Sequence, residues 1–120
     1  MITVVYVITF DPKKDYELAS SIFAQALTAL AFGYKVELFC MSQGALIAKK
    51  GHVDGLKFDT FQPLSEMLED FIAMDGLVYA CHPSTDARNL EAENCLEGVK
   101  FVNASHLLGS AKEAMAVFTY

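Results

Sequence analysis

Five apolar runs rich in β-branched and aromatic residues alternate along the chain with segments patterned at the helical period. The first, residues 2–10, is almost continuously apolar, which predicts a central parallel strand buried on both faces. Asp11-Pro12 breaks it. A helix is predicted over residues 15–32, with Leu18, Ile22, Phe23, Ala26, Leu27 and Leu30 on one stripe and Gly33 as its stop. A second strand covers residues 35–41, followed by a turn at Ser42-Gln43-Gly44 and a short helix over residues 45–49. Residues 51–62 read as a loop with an irregular extended piece. Leu64, Met67, Leu68, Phe71 and Ile72 fall at i, i+3, i+4, i+7 and i+8, a second amphipathic helix that Gly76 ends. The third strand is residues 77–81. Ser84 or Asp86 is then read as the cap of a helix running through Arg88 toward Cys95. A fourth strand over residues 99–102, a helix capped by Asn103 or Ser105 and reaching Glu113, and a fifth strand over residues 116–120 complete the pattern.

Strands alternating with helices predict an α/β fold, a parallel sheet covered on both faces through right-handed crossovers. In such a sheet ligands meet the strand C-termini. Asp11, Ser42-Gln43-Gly44, Cys81-His82 and Asn103 all fall at that edge. With 120 residues the chain reads as one domain, residues 1–120, able to bury a real core. Its 53% hydrophobic content and mean hydropathy of +0.30 are high for a small monomer, yet no run is long enough to span a bilayer. The apolar excess therefore points to a two-sided sheet plus a subunit interface, hence a homo-oligomer. The opening residues lack a charged n-region and a cleavage site, so a cytoplasmic location is expected.

A net charge of −6 and a pI near 4.9 argue against nucleic-acid binding, which needs a basic footprint. Cys40, Cys81 and Cys95 have no zinc-type spacing, and an odd count of thiols does not make a disulfide scaffold. His52 and His106 lack partners at ligand spacing, so neither a metal nor a cofactor is expected.

Cys81 carries the strongest chemical signal. It closes the apolar run Leu77-Val78-Tyr79-Ala80 and precedes the polar segment His82-Pro83-Ser84-Thr85-Asp86-Ala87-Arg88. Nearby cations and a helix start both push a cysteine toward thiolate. Spacing tests its possible chemistries. A tyrosine-phosphatase loop needs C-x5-R, and Arg88 comes one residue too late, in a loop without glycine. A dithiol C-x-x-C needs a resolving thiol where Ser84 stands. Asp11-Pro12-Lys13-Lys14-Asp15 is not a flavodoxin-type phosphate loop. A cysteine-protease pairing with His52 or His106 has no local support. What remains is a solitary thiol that receives or passes a group, persulfide sulfur among them.

Residues 81–90 resemble the C-x-x-[CSA]-x-x-A-R-G-[LIV] signature of the DsrE/DsrF-like family, which includes the TusD-type sulfur-relay proteins. The likeness extends over essentially the whole chain, but only Cys81 to Leu90 is specific. It implies a three-layer α/β/α sandwich with a five-stranded parallel sheet, assembled as a trimer or hexamer, or with related subunits as a hetero-oligomer. It also implies that Cys81 carries persulfide sulfur between a sulfur-donor and a sulfur-acceptor protein. Two positions depart from the pattern. Asn89 replaces glycine, and asparagine tolerates left-handed backbone angles. Ser84 replaces a second cysteine, which suits a one-thiol carrier.

Each candidate has a plainer role beside its chemical one. Cys81 is a sulfur carrier or a small buried hydrophobe at a strand end. His82 tunes the thiol, contacts a partner, or is a surface histidine. Arg88 stabilises a thiolate or anion, or forms a surface or interface salt bridge. Ser84 is a site group or an N-cap that orients a helix dipole toward Cys81. Cys40 is core or a second thiol, and Cys95 is packing. Two function classes follow: a sulfur-transfer protein, and a non-catalytic oligomeric binding module using the same crevice. A thiol-dependent hydrolase or phosphatase is a third.

Overall fold

A computed structural model of the chain describes residues 1–120. The elements run β1 (Thr3–Ile8), α1 (Tyr16–Ala31), β2 (Lys35–Cys40), α2 (Leu64–Ala73), β3 (Leu77–Cys81), α3 (His82–Ala87), β4 (Lys100–Val102), α4 (Ala104–Glu113) and β5 (Ala116–Thr119). Short 3₁₀ segments occupy Ser42–Ala48 and Ala92–Asn94. All five strands pair in parallel in the order β4-β3-β2-β1-β5. The expected five-stranded parallel α/β sandwich is the observed fold.

The near-continuous apolar run of β1 is explained by its place. Flanked by β2 and β5, it buries Val4, Val5, Tyr6, Val7 and Ile8. Each such side chain contributes about 1.5–3 kcal/mol over an exposed one. Alternate residues serve opposite layers. Val4, Tyr6, Ile8, Val36, Leu38, Cys40 and Val78 face α1 and α2, packing on Ile22, Phe23, Ala26, Met67, Leu68 and Phe71. Val5, Val7, Phe39, Tyr79 and Cys81 face the other way, toward Leu107 of α4. That second face is thinly covered. No residue of α4 is buried, and Leu108 of α4 and Val117, in register with Val5, are exposed.

Three helix ends differ from expectation. The helix after Cys81 begins at once, with His82 as its first residue and Cys81 as its N-cap, because Pro83 suits the first turn. Neither Ser84 nor Asp86 caps it. It also stops at Ala87 instead of continuing toward Cys95. Asn89 takes φ +55°, and the Leu90 N–H reaches back to the Thr85 carbonyl at 2.9 Å, a Schellman-type stop. The left-handed turn after α2 falls on Asp75, at φ +67°, and not on Gly76. Gly76 is needed for space, since a Cβ there would lie 2.4 Å from the Phe71 ring.

Candidate functional site

Cys81 ends β3 at the C-terminal edge of the sheet, as its sequence context requires. It lies two strands away from β1, whose flanks are reached by chain connections running in opposite directions. The site is thus at the functional edge but not at the topological switch point where open α/β sheets hold nucleotides. Cys81 is only 7% exposed, packed with Phe39, Tyr79, Val5 and Val7, and with Met41, Val102 and Leu107 around them.

The three supporting residues hold the chain around the thiol, and none is hydrogen-bonded to it. The Ser42 N–H donates to Ser84 Oγ at 2.7 Å. Ser84 therefore ties α3 to the loop after β2, where the expected cap would have tied it to its own helix. Ser42 sits at φ +54°, so this bond holds a backbone conformation that side chains disfavour. Lys14 Nζ donates to Gln43 Oε1 at 3.1 Å, joining the loop after β1 to the same segment. Gly44 seats it, because a Cβ there would lie 2.0 Å from the Ile8 carbonyl oxygen. His82 Nδ1 pairs with Asp86 Oδ2 at 3.1 Å on the exposed face of α3. The Arg88 guanidinium donates from Nη1 to the Ser84 carbonyl at 3.0 Å, closing the C-terminal end of α3.

The other thiols are set apart. Cys40 pairs in register with Ala80, one residue before Cys81, so its side chain joins the α1–α2 layer while Cys81 joins the α4 layer. Cys40 is fully buried, and burial pushes its thiol up to about 12. It is not a second thiol for Cys81. Cys95 is buried with Ala48, Ala80 and Leu90. Burial raises its pKa and outweighs the charge of Lys50, which lowers it.

Two polar pairings were invisible in the sequence. Asp11, beyond β1, meets His52 at 2.8 Å between Oδ1 and Nε2, and also accepts the Lys13 N–H at 3.0 Å. Burial alone would raise the Asp11 pKa. The His52 hydrogen bond, the Lys13 N–H and the nearby positive charge outweigh burial and lower it. Glu37 is a buried carboxylate on β2, beneath α4. Ser110 Oγ donates to its Oε1 at 2.8 Å, while Lys35 Nζ and His106 Nε2 each stand 3.8 Å from the carboxylate. The His106 ring packs on Tyr79 at 4.2 Å, and its Nε2 is buried without a hydrogen-bond partner. Burial first, then Glu37, raises the Tyr79 pKa. Thr3, Lys35, Glu37, His106, Ser110 and Glu113 line a polar cleft of about 290 Å³ at the far end of the sheet from Cys81. A charged residue in an apolar strand was the one available signal for this cluster.

The sequence model of the DsrE/DsrF-like family matches residues 3–120, and the chain belongs to that family. The chain is 32% identical over 113 residues to the uncharacterized protein MK0008 of Methanopyrus kandleri, covering 94% of this chain and 90% of that one. It is also 32% identical over 104 residues to the uncharacterized protein MJ0989 of Methanocaldococcus jannaschii, covering 87% of this chain and 88% of that one. Among solved structures, YchN of E. coli superposes over the full length of both chains with a TM-score of 0.74 at 23% identity. A protein of unknown function from Methanobacterium thermoautotrophicum, MTH1491, does so with a TM-score of 0.75 at 19% identity. These likenesses establish the fold. No helix is long and apolar enough to cross a membrane.

Proposed function

We propose that this chain is a cytoplasmic, single-domain sulfur-transfer protein that carries persulfide sulfur on Cys81 between a donor and an acceptor protein. The observation that carries this reading is the place of Cys81. It ends β3 at the C-terminal sheet edge, it stands at the N-cap of the helix that opens the family's signature segment, and it faces the opposite side of the sheet from Cys40, the thiol that ends β2. The step balances without an oxidant. The Cys81 thiolate attacks the outer sulfur of the donor's persulfide, the donor's S–S bond breaks, and the donor leaves as a thiolate. The bound sulfur then passes to the acceptor's thiolate by the same exchange, regenerating the Cys81 thiolate. Ser84, His82 and Arg88 act as supporting residues through the geometry of α3. The exposed apolar residues beside α4 and β5 favour a homo-oligomer, a trimer or hexamer, which light scattering at micromolar concentration checks. The carrier role is tested by incubation with a cysteine desulfurase and cysteine, followed by intact-mass measurement. Wild type gains sulfur and Cys81→Ala does not. Equal gain in both, or none in either, sinks the proposal.

The burial of Cys81 favours a second reading, an oligomeric binding module that uses the same edge for a small ligand or partner. Native alkylation at graded pH separates the two. A Cys81 that never reacts in the folded protein supports the module.

A further inference from the structure

One face of α4 runs against the pattern of the other helices. α1 packs Ala19, Ile22, Phe23 and Ala26 on the sheet, whereas α4 brings His106, Gly109, Ser110 and Glu113, at i, i+3, i+4 and i+7, to the polar cleft. Thr3, Lys35 and Glu37 complete its wall, and no apolar side chain lines it. The exposed Leu108 and Val117 stand outside it, so the cleft and the apolar face use different residues. At about 290 Å³ it lies at the small end of ligand sites, which run from about 300 to about 1,000 Å³.

Glu37 is the centre of the cleft's chemistry. It stands between Val36 and Leu38 on β2, in register with Val5 and Leu77, and its side chain is only 4% exposed. A carboxylate so far out of water costs stability unless donors surround it. It has room for about four hydrogen bonds and receives one, from Ser110 to Oε1. Lys35 Nζ is 3.8 Å from Oε2, too far for a hydrogen bond, and nearly half of the lysine side chain is in solvent. His106 Nε2, 3.8 Å from Oε1, is buried with no partner. Two groups that folded proteins ordinarily satisfy are thus left open beside a cavity. The partner that Glu37 lacks is a positively charged donor. The partner that Lys35 lacks is an anion. We propose that the cleft binds a small hydrophilic zwitterion of the amino-acid class, its ammonium on Glu37 and its carboxylate on Lys35. The polar lining selects against large apolar side chains. The site lies at the opposite end of the sheet from Cys81 and stands whether or not that thiol carries sulfur.

The test is isothermal titration of the full-length protein, in its solution assembly, with three matched probes. These are L-serine, ethanolamine, which lacks its carboxylate, and 3-hydroxypropionate, which lacks its ammonium. L-serine should bind with a Kd of about 1 mM or tighter, and each analogue about tenfold more weakly, as befits one lost charged contact. Lys35→Met should weaken L-serine about tenfold and leave ethanolamine unchanged, because it removes only the partner of the carboxylate. Glu37→Gln should weaken L-serine and ethanolamine alike. Lys35 is nearly half in solvent, so its variant keeps the test open if Glu37→Gln fails to fold. No saturable heat up to about 20 mM L-serine overturns the proposal. Ethanolamine binding as tightly as L-serine overturns it too, and so does L-serine binding that ignores Lys35→Met.

Discussion

Gly44→Ala is a severe test of how the loop beside Cys81 is seated. The added Cβ would lie 2.0 Å from the Ile8 carbonyl oxygen, 2.6 Å from its carbon and 3.2 Å from the Thr9 nitrogen. These are backbone atoms at the end of β1, a strand paired on both sides, so no side chain can swing aside. Relief requires moving the Ser42–Ala48 segment or the strand end by roughly 1 Å, the kind of overpacking that costs about 1–3 kcal/mol. Alanine also restricts the unfolded chain, returning about 0.4–1 kcal/mol. The net loss is about 1–2 kcal/mol, equivalent to a fall in Tm of about 4–8 °C for a chain of this size. Urea denaturation followed by circular dichroism gives the value directly. Gly109→Ala is the control. Its Cβ meets nothing within 4 Å, and in the interior of α4 alanine should stabilise by about 0.5–1 kcal/mol. A Gly44→Ala protein as stable as wild type would refute the steric account of this loop.

Asn89 holds a left-handed turn, so Asn89→Gly should be neutral or stabilising while Asn89→Ala loses about 1 kcal/mol by thermal melting. Equal melting of the two would contradict the backbone argument. The lowered Asp11 pKa gives stability that is present above the ordinary carboxylate range and lost as pH falls through the lowered value. Wild type should thus exceed Asp11→Asn in stability at about pH 7, with the gap closing toward about pH 3. A gap independent of pH would show the pair to be energetically idle. Cys40→Ser places a hydroxyl in a fully buried apolar site and should cost about 1–3 kcal/mol in a urea titration. A loss below about 0.5 kcal/mol would mean the site admits water.

The strands were legible because burial on two faces leaves a continuous apolar run, and β1 is the clearest case. The signature segment was legible because it is local. What could not be read depends on pairing between strands. Cys40 sits opposite Ala80 and not opposite Cys81, a one-residue offset that assigns the two thiols to different layers. Nothing within either strand encodes that offset. The role of Ser84 failed for a related reason. Serine beside a helix start suggests a cap, but its partner is Ser42, 42 residues away. Asp11 and His52 are likewise joined only by the folded chain.

The offset that parts Cys40 from Cys81 also decides how this protein ages under oxidation. A disulfide needs two Cβ atoms that face each other, and the sheet stands between these. Cys81 oxidised to sulfenic acid therefore cannot condense with the Cys40 thiol within the native fold. The choices left are a mixed disulfide with an outside thiol, which is reversible, or further oxidation to sulfinic and sulfonic acid, which is not. Rescue has to arrive from solution, at a thiol only 7% exposed.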